Sequence, residues 1–196
     1  MSIFVTSDLH FNHDREFVWK IRGFNSIQEM NETIVKNWNS VVSPDDDVYV
    51  LGDLCLGGGT SSVLLANKKL IESLNGKLHI IRGNHDTNPR VIIYSQCANV
   101  VAEVKWADML NYKGYHFYLS HFPTLTGNLE KESLKQCTCN LFGHTHQTTY
   151  FHLDMPFMYH VGMDSHNCYP MNLDDIIEEM KAKVKECLAE LGEEET

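Results

Sequence analysis

Short apolar runs recur along the chain, and several of them end directly in residues with carboxylate, amide or imidazole groups. The runs are Ile3-Phe4-Val5, Val48 to Leu51, Leu78 to Ile81, Phe117-Tyr118-Leu119 and Leu141-Phe142. Runs of β-branched and aromatic residues are typical of strands, and a run that is apolar at nearly every position is typical of a strand covered on both faces. The pattern therefore predicts at least five strands, some of them central in a sheet.

The segments that follow these runs share their chemistry. They are Asp8-Leu9-His10, Gly52-Asp53, Gly83-Asn84-His85-Asp86, His121 and Gly143-His144-Thr145-His146. Strand ends at one edge of a sheet lie close together, so residues far apart in the sequence can converge there. We therefore expect one polar site to which all five strand ends contribute.

Helical spacing alternates with these runs in the first half of the chain. Ser26-Ile27-Gln28-Glu29 has the form of a capping box, and the apolar residues after it recur at spacings of three and four to about Ser40. Further helices are predicted at about 60–74, 90–96 and 173–191, the last of them capped by Asn172. Strand-like segments predominate after residue 96, at about 100–110, 115–120, 140–142 and 158–163.

Length and composition favour a single domain over residues 1–196, with no linker or internal repeat. The net charge of −10, from 16 basic and 26 acidic residues, argues against a surface that binds duplex nucleic acid through many phosphates. The apolar N-terminal run meets Asp8 too early for a secretory signal, and no segment has the length of a membrane span, so we expect no membrane partner. The six cysteines are interpreted as thiols of a cytoplasmic protein. The apolar stripe of the last helix could pack on the sheet or on another subunit, which leaves a homo-oligomer open.

Two segments are predicted to be irregular. Gly57-Gly58-Gly59 lacks the lysine and the spacing of a phosphate-binding loop, and is interpreted as a mobile loop at the rim of the site. The acidic stretch 192–196 is expected to be a frayed end.

The ordered set D-x-H, G-D, G-N-H-D, H and G-H-x-H, from Asp8 to His146, resembles the calcineurin-like metallophosphoesterases. The resemblance implies an α/β fold with a four-layer α/β/β/α sandwich. It also implies two divalent ions: Asp8, His10, Asp53 and His146 would hold one, and Asp53, Asn84, His121 and His144 the other. Carboxylate, amide and imidazole ligands without thiolate suit several transition metals. We expect manganese, with nickel, iron, cobalt and zinc as alternatives.

Several further residues are assigned roles around this predicted centre. The family counterpart of His85 protonates the leaving oxygen or stabilises charge near it, so His85 is the expected catalytic residue. Asp86 could orient His85 or only complete the turn. His13, in the loop after the first ligands, and Arg22, a cation beyond the same loop, are candidates for substrate binding.

The resemblance implies a metal-dependent phosphoesterase in which a metal-activated hydroxide attacks phosphorus. Protein phosphatases of the family continue the second motif as G-D-x-x-D-R-G, but Leu56 and Gly57 occupy the acid and arginine positions here. We therefore expect a phosphodiesterase that hydrolyses a small nucleotide-like or cyclic-nucleotide substrate. The alternatives are a nuclease or nucleic-acid end-processing enzyme, a phosphomonoesterase, and a binding scaffold without turnover.

Overall fold

Two four-stranded sheets form the centre of the fold. The computed structural model describes residues 1–57, 60–127 and 133–191, so two predictions, for Gly58-Gly59 of the glycine run and for the acidic stretch 192–196, lie outside the described residues. The strands are β1 (Ile3–Thr6), β2 (Asp47–Leu51), β3 (Lys77–Ile81), β4 (Ala107–Tyr112), β5 (Tyr115–Ser120), β6 (Thr138–Phe142), β7 (Met158–His160) and β8 (Met171–Asn172). Sheet 1 has the order β3-β2-β1-β8, and sheet 2 has the order β4-β5-β6-β7.

Most neighbouring strands in these sheets are parallel. In sheet 1, β1, β2 and β3 run parallel and only β8 is antiparallel to its neighbour. In sheet 2, β5, β6 and β7 run parallel and β4 pairs antiparallel with β5. The carboxyl ends of the parallel strands in each sheet therefore lie at one edge, which is where ligand sites form in sheets of this kind.

Five α-helices and one 3-10 turn accompany the sheets in the described part of the chain. They are α1 (Glu16–Trp19), α2 (Ile27–Val41), α3 (Ser61–Glu72), α4 (Asn88–Tyr94), the 3-10 turn at His152–Asp154, and α5 (Leu173–Leu191). The predicted alternation of strands and helices before residue 96 is confirmed, although α4 begins at Asn88, two residues earlier than expected. Pro89 explains that start, because proline is well suited to the first turn of a helix.

The core consists of two clusters on opposite faces of sheet 1. Val48 and Val50 pack with apolar residues of α2, α3 and α4, whereas Leu51 and the partly buried Tyr49 pack with sheet 2 and α5. Alternate residues of a strand point to opposite faces, so both faces of β2 are covered and its nearly continuous apolar sequence is explained. The expected α/β class, with a two-sheet core and associated helices, is confirmed.

Helix α2 shows how the sequence signals operate. The Ser26 hydroxyl accepts a hydrogen bond from the backbone N–H of Glu29 at 3.1 Å, as the capping box predicts. The Glu29 carboxylate reaches back one residue further than expected and accepts from the backbone N–H of Asn25 at 2.8 Å. The buried side of the helix includes Ile34 and Trp38, and the indole N–H of Trp38 donates to the Asn75 carbonyl at 2.8 Å.

The later strands differ in part from the prediction. The segment around residues 100–110 is strand only from Ala107, because Val100 and Lys105 make isolated bridges to β3 instead of a ladder. Strands β4 and β5 form a hairpin through Lys113 and Gly114, and both residues have the positive φ that tight hairpin turns require.

Helix α5 packs within this chain. The Asn172 side chain accepts from the backbone N–H of Asp174 at 2.9 Å, so the predicted cap is present. Ile176, Ile177 and Met180 of its apolar stripe are buried in the cluster that includes both sheets. Within the described ranges, α5 and the other helices lack the combination of length and apolar composition that crossing a bilayer requires.

Replacing a core residue of α2 should cost far more stability than replacing an exposed residue of similar size. Ile34 is fully buried, so Ile34→Ala should lower the free energy of unfolding by about 2–5 kcal/mol, as large-to-small core substitutions do. Leu65→Ala is the control, since that side chain is 54% exposed on α3. Urea denaturation measures both variants, and equal midpoints would contradict this assignment of the core.

Candidate metal centre

The loops after five strands meet at the shared edge of the two sheets. Asp8, Asp53 and Asn84 follow β1, β2 and β3 of sheet 1, and His121, His144 and His146 follow β5 and β6 of sheet 2. Backbone hydrogen bonds join these loops: Asp8 N–H donates to the Gly52 carbonyl, and His10 N–H donates to the Asp53 carbonyl, each at 3.0 Å. His10 lies on the β1 loop as well. The structure thus brings together all seven side chains that the family resemblance implies as metal ligands.

Many of these residues have an unusual backbone conformation. Left-handed φ values occur at Asp8 (56°), His10 (53°), Asp53 (53°), His144 (67°) and His146 (49°). Such a conformation typically costs about 1–3 kcal/mol for a residue with a side chain, and it persists where the surrounding structure requires it. The loops are therefore shaped to direct these side chains inward at some cost in local stability.

Asp8, His10 and His146 form the first group of donor atoms. His10 Nε2 lies 3.6 Å from Asp8 Oδ1, and His146 Nε2 lies 3.7 Å from the same oxygen. These distances are longer than a hydrogen bond but suit three ligands around one ion. The three donor atoms all lie within 4.8 Å of one another.

The second group is centred on Asp53. Its Oδ2 lies 3.5 Å from His121 Nε2 and 3.9 Å from His10 Nε2 of the first group. Asn84 Oδ1 lies 2.8 Å from His121 Nε2 and 2.9 Å from His144 Nδ1. Asp53 therefore lies between the two groups, where a bridging carboxylate would be placed. Asp8 also lies within 4.8 Å of the Asp53 and His121 donors.

The donor set fits divalent metal ions. Asp8 Oδ1 and His10 Nε2 are buried and have no hydrogen-bond partner among the described residues. Burying a polar atom without a partner typically costs about 1–3 kcal/mol, and here both atoms face the same space. Oxygen and imidazole donors around that space are typical ligands of manganese, iron, cobalt, nickel and zinc.

Two of the histidines are held so that Nε2 points into the centre. His121 Nδ1 donates to the Leu51 carbonyl at 2.8 Å, and His146 Nδ1 donates to Asp164 Oδ2 at 2.9 Å. A hydrogen bond from Nδ1 selects the tautomer in which Nε2 carries a free lone pair, as metal-binding histidines require.

Asp164 is a site residue that our sequence analysis missed. It accepts from Arg22 through both carboxylate oxygens, at 3.0 and 2.9 Å, as well as from His146. Burial raises the pKa of Asp164, but these hydrogen bonds and the Arg22 charge outweigh burial, and the pKa lies well below its ordinary value. A signal was available, because Asp164 directly follows the strand-like segment 158–163 just as Asp8 and Asp53 follow theirs.

Arg22 lies differently from the expectation that it binds substrate. Its side chain is only 2% exposed, and besides Asp164 it donates to the Asp8 carbonyl at 2.7 Å and the Leu9 carbonyl at 3.2 Å. With its nitrogens engaged in this way, the guanidinium does not face the open part of the site. These contacts instead fix the backbone of the β1 loop and, through Asp164, the ring of His146.

Asp86 also contacts the backbone instead of the neighbouring His85 ring. Asp86 Oδ2 accepts from the N–H groups of Asp53 and Gly83, each at 2.8 Å, and Oδ1 accepts from the Tyr94 hydroxyl at 2.8 Å. Burial raises the pKa of the Asp86 carboxyl. Of the two roles weighed for Asp86, these contacts favour completing the turn, since they fasten the β2 and β3 loops to each other.

His85 and His13 lie at the open side of the centre. The His85 side chain is 46% exposed, its Nε2 lies 4.0 Å from Asp53 Oδ2, and its backbone N–H donates to Asp53 Oδ1 at 2.9 Å. His13 Nδ1 lies 3.2 Å from His10 Nδ1, and burial lowers the pKa of His13 to about 4. Both rings line a cavity of about 400 Å³ together with His10, His146 and Asp164.

Two glycines allow the loops to approach the acidic side chains. A Cβ at Gly83 would lie 2.2 Å from Asp53 Oδ1, and a Cβ at Gly143 would lie 2.3 Å from Asp8 Oδ2. Neither carboxylate could keep its place beside a larger residue. The glycines of G-N-H-D and G-H-x-H are therefore explained by close packing against the candidate ligands.

The chain is similar to proteins of a known family. Residues 1–163 match the calcineurin-like phosphoesterase superfamily domain. An uncharacterized protein of Methanocaldococcus jannaschii is 34% identical over 182 residues, which cover 89% of each chain. The Gene 66 protein of Mycobacterium phage L5 is 37% identical over 82 residues, which are 41% of this chain and 38% of the phage protein.

A solved structure supports the fold independently. The crystal structure of a protein of unknown function from Aquifex aeolicus superposes with a TM-score of 0.65 at 19% identity, covering 90% of this chain and 98% of that one. At this identity the likeness concerns the fold alone.

Removing the charge of Asp164 should weaken metal binding. In Asp164→Asn the hydrogen bond to His146 loses its ionic character, and loss of such an orienting partner typically costs about 10- to 100-fold in metal affinity. Competition with a chelating dye measures the affinity for Zn²⁺, and thermal unfolding checks that the variant is folded. Asp174→Asn is the control, because Asp174 forms an exposed ion pair with Lys113. Equal zinc affinity in folded Asp164→Asn and the unaltered protein would contradict the role given to Asp164.

Proposed function

The chain belongs to the calcineurin-like phosphoesterase superfamily, a family of metal-dependent phosphoesterases, and we propose that it is a phosphodiesterase that hydrolyses a small nucleotide-like or cyclic-nucleotide ester. The observation that carries the proposal is the meeting of Asp8, His10, Asp53 and the other candidate ligands around buried donor atoms that have no partner among the described residues. A site of this composition is suited to phosphoryl chemistry, where positioning and charge stabilisation provide most of the catalysis.

We assign the ligands to two ions as the family pattern does. Asp8, His10, Asp53 and His146 would hold one ion, and Asp53, Asn84, His121 and His144 the other. When bound, such ions lower the pKa of a water molecule to supply the nucleophile and neutralise charge on the phosphoryl oxygens. We propose manganese as the ion that the protein uses, and the donor set equally suits nickel, iron, cobalt and zinc.

His85 is the residue that we propose as general acid or charge stabiliser. Its ring is half exposed at the mouth of the centre, close to the proposed bridging Asp53 and free to meet the oxygen that leaves phosphorus. Its backbone N–H, not its ring, donates the hydrogen bond to Asp53. The ring can therefore reach substrate while the main chain keeps Asp53 in place.

The charge of the chain favours a small substrate over a nucleic acid duplex. The net charge is −10, and the residues that line the cavity beside the centre include no lysine or arginine within the described ranges. Binding to a polyanion needs cationic side chains along its path. A short phosphoester needs only the metal centre and the groups around it.

Asp53→Asn should abolish hydrolysis of bis-p-nitrophenyl phosphate, because the proposed bridging carboxylate loses its charge. Activity is measured on metal-stripped protein reconstituted with Mn²⁺, Ni²⁺ or Zn²⁺. The variant should also bind less metal, as measured by elemental analysis. Asp108→Asn is the matched control, since Asp108 on β4 pairs with Lys105, and its hydrogen bonds and ion pair in the described structure involve none of the candidate ligands.

The same assay separates the alternatives. Preference for bis-p-nitrophenyl phosphate over p-nitrophenyl phosphate would support the phosphodiesterase, and the reverse preference would indicate a phosphomonoesterase. If the protein does not hydrolyse the small diester but cleaves oligonucleotides, at a rate that falls strongly with salt, it is a nuclease. If no metal gives turnover, the phosphodiesterase proposal is wrong and the binding-scaffold alternative is supported.

His85→Ala should keep the metals but slow catalysis. Alanine retains the backbone hydrogen bond to Asp53, whereas loss of the ring should lower kcat by about 10²- to 10⁴-fold, with the larger effects on esters whose leaving groups have a high pKa. Metal content and kcat are measured for a series of aryl and alkyl diesters. His116→Ala is the control, because the His116 ring is exposed on β5 and its one hydrogen bond among the described residues is to the Asn111 side chain. An unchanged kcat across the series would exclude His85 from the chemistry.

A further inference from the structure

A cavity of about 400 Å³ opens directly beside the candidate metal centre. One side consists of polar groups of the centre and its surroundings, namely His10, His13, His85, His146 and Asp164. The other side consists of Phe17, Val18 and Ile21, from α1 and the turn that follows it. A phosphoester bound at the metals would therefore extend one of its ester groups along an apolar wall.

The apolar wall is unusually exposed for its composition. Phe17 is 63% exposed and Ile21 is 76% exposed, whereas Val18 between them is buried and anchors the segment to the core. A single exposed apolar side chain needs no explanation, but two large ones that line a cavity together at a polar site indicate a surface that a ligand covers.

The rings around the cavity favour a flat occupant. The Phe17 and His13 rings meet edge to face, with 5.6 Å between their centroids. The centroids of the His13 and His85 rings are 6.3 Å apart. Aromatic groups gain from offset or edge-to-face contact with further rings, beyond the area they bury. A planar ring placed between Phe17 and the imidazoles would make several such contacts, whereas an alkyl group would make only the apolar ones.

Charge around the cavity argues against a long phosphate chain in this position. The one carboxylate in the lining, Asp164, is already bonded to Arg22 and His146. The nearby cation Lys20 is paired with Glu16, Arg22 is buried behind the lining, and Arg15 is exposed on the loop next to His13. Additional phosphates would therefore meet no lysine or arginine in the lining itself, and Arg15 is the one of these three cations left to meet a phosphate beyond it.

We propose that this cavity binds a planar aromatic ester group of the substrate, with Phe17 and Ile21 as specificity-determining residues. The inference rests on the proposed phosphoesterase function and narrows its substrate class to aryl or nucleoside phosphoesters. The metal centre would hold the phosphoryl group, and the α1 wall would select what is attached to it.

The proposal is tested by ligand binding, which does not require turnover. Dissociation constants of phenylphosphonate, cyclohexylphosphonate and methylphosphonate for the zinc-loaded protein are measured by ligand-observed NMR; the carbon–phosphorus bond prevents hydrolysis. We expect phenylphosphonate to bind at least 5-fold more tightly than methylphosphonate and more tightly than its cyclohexyl analogue. Phe17→Ala should remove most of that preference and leave methylphosphonate unchanged, whereas Phe17→Tyr should keep it. Leu65→Ala is the control for loss of an exposed apolar side chain.

The outcomes separate this inference from the proposed function. Equal affinities for the three phosphonates, or a ring preference that survives in Phe17→Ala, would overturn the ring site even if diesters are hydrolysed. Ring-dependent binding without hydrolysis of any ester would support the ring site and overturn the enzymatic function. Thymidine 5′-monophosphate and 2-deoxyribose 5-phosphate differ by the nucleobase, so comparing their affinities identifies the kind of ring that the cavity binds. Tighter binding of thymidine 5′-monophosphate indicates a nucleobase. Equal binding of these two, with tighter binding of phenylphosphonate than of methylphosphonate, indicates a simple aryl ester.

Discussion

Two carboxylates, Asp8 and Asp53, are buried at the meeting edge of the sheets, and the cost of burying them determines what surrounds them. Their exposed fractions are 0% and 1%, a burial that isolated acidic groups do not tolerate. Asp8 Oδ2 accepts from the Ser7 hydroxyl at 2.6 Å and the His144 N–H at 2.8 Å, whereas Asp53 Oδ1 accepts from the His85 N–H. Burial raises the pKa of Asp8, but the hydrogen bond and charge of His10 and the charges of the other nearby histidines lower it by a larger amount. The resulting pKa of Asp8 lies well below its ordinary value. The other carboxylate oxygens, Asp8 Oδ1 and Asp53 Oδ2, lie 3.5–3.9 Å from the Nε2 atoms of His10, His121 and His146, so an ion between them would complete the neutralisation that the protein groups begin.

This constraint also explains the shape of the loops and the groups behind them. Left-handed backbone at Asp8 and Asp53 turns each chain sharply after its strand, and the strain is offset by polar groups that hold the turn. Asp86 binds the β2 and β3 loops through backbone N–H groups, and the pair Arg22–Asp164 holds the β1 loop and His146. A buried ion pair adds little net stability compared with apolar packing. Its value here lies in fixing direction, because both members bond to the groups that carry or orient candidate ligands.

The sequence predicted best what depends on chemistry repeated at strand ends. Apolar runs followed by Asp, Asn or His indicated five strand ends that meet at one site, and the resemblance to the calcineurin-like metallophosphoesterases supplied the seven candidate ligands among their polar residues. The sequence predicted less well what depends on the tertiary partner of a side chain. From the sequence alone, Arg22 is a plausible phosphate-binding cation. Only the fold shows that it is buried and bonded to Asp164, which is 142 positions away in the chain. The segment 100–106 has strand-forming residues but lies where β3 offers only isolated bridges, so propensity was overridden by register.

Under the proposed function, reactivity and selectivity would be carried by different parts of this fold. The candidate ligands lie on loops that begin at the carboxyl ends of parallel strands and are joined to one another by hydrogen bonds, so a shift of one residue would break several of these bonds at once. The apolar wall of Phe17 and Ile21 lies on α1 and the turn after it, a segment held by the packing of Val18 and Trp19 and by the hydrogen bond from Arg22 to the Asp8 carbonyl. The Phe17 and Ile21 side chains are themselves exposed, so substituting them would change what the cavity accepts and leave these contacts in place. Such a division would suit one metal centre to different esters, because the contacts that set the geometry of the candidate centre are not those that would meet the rest of the substrate.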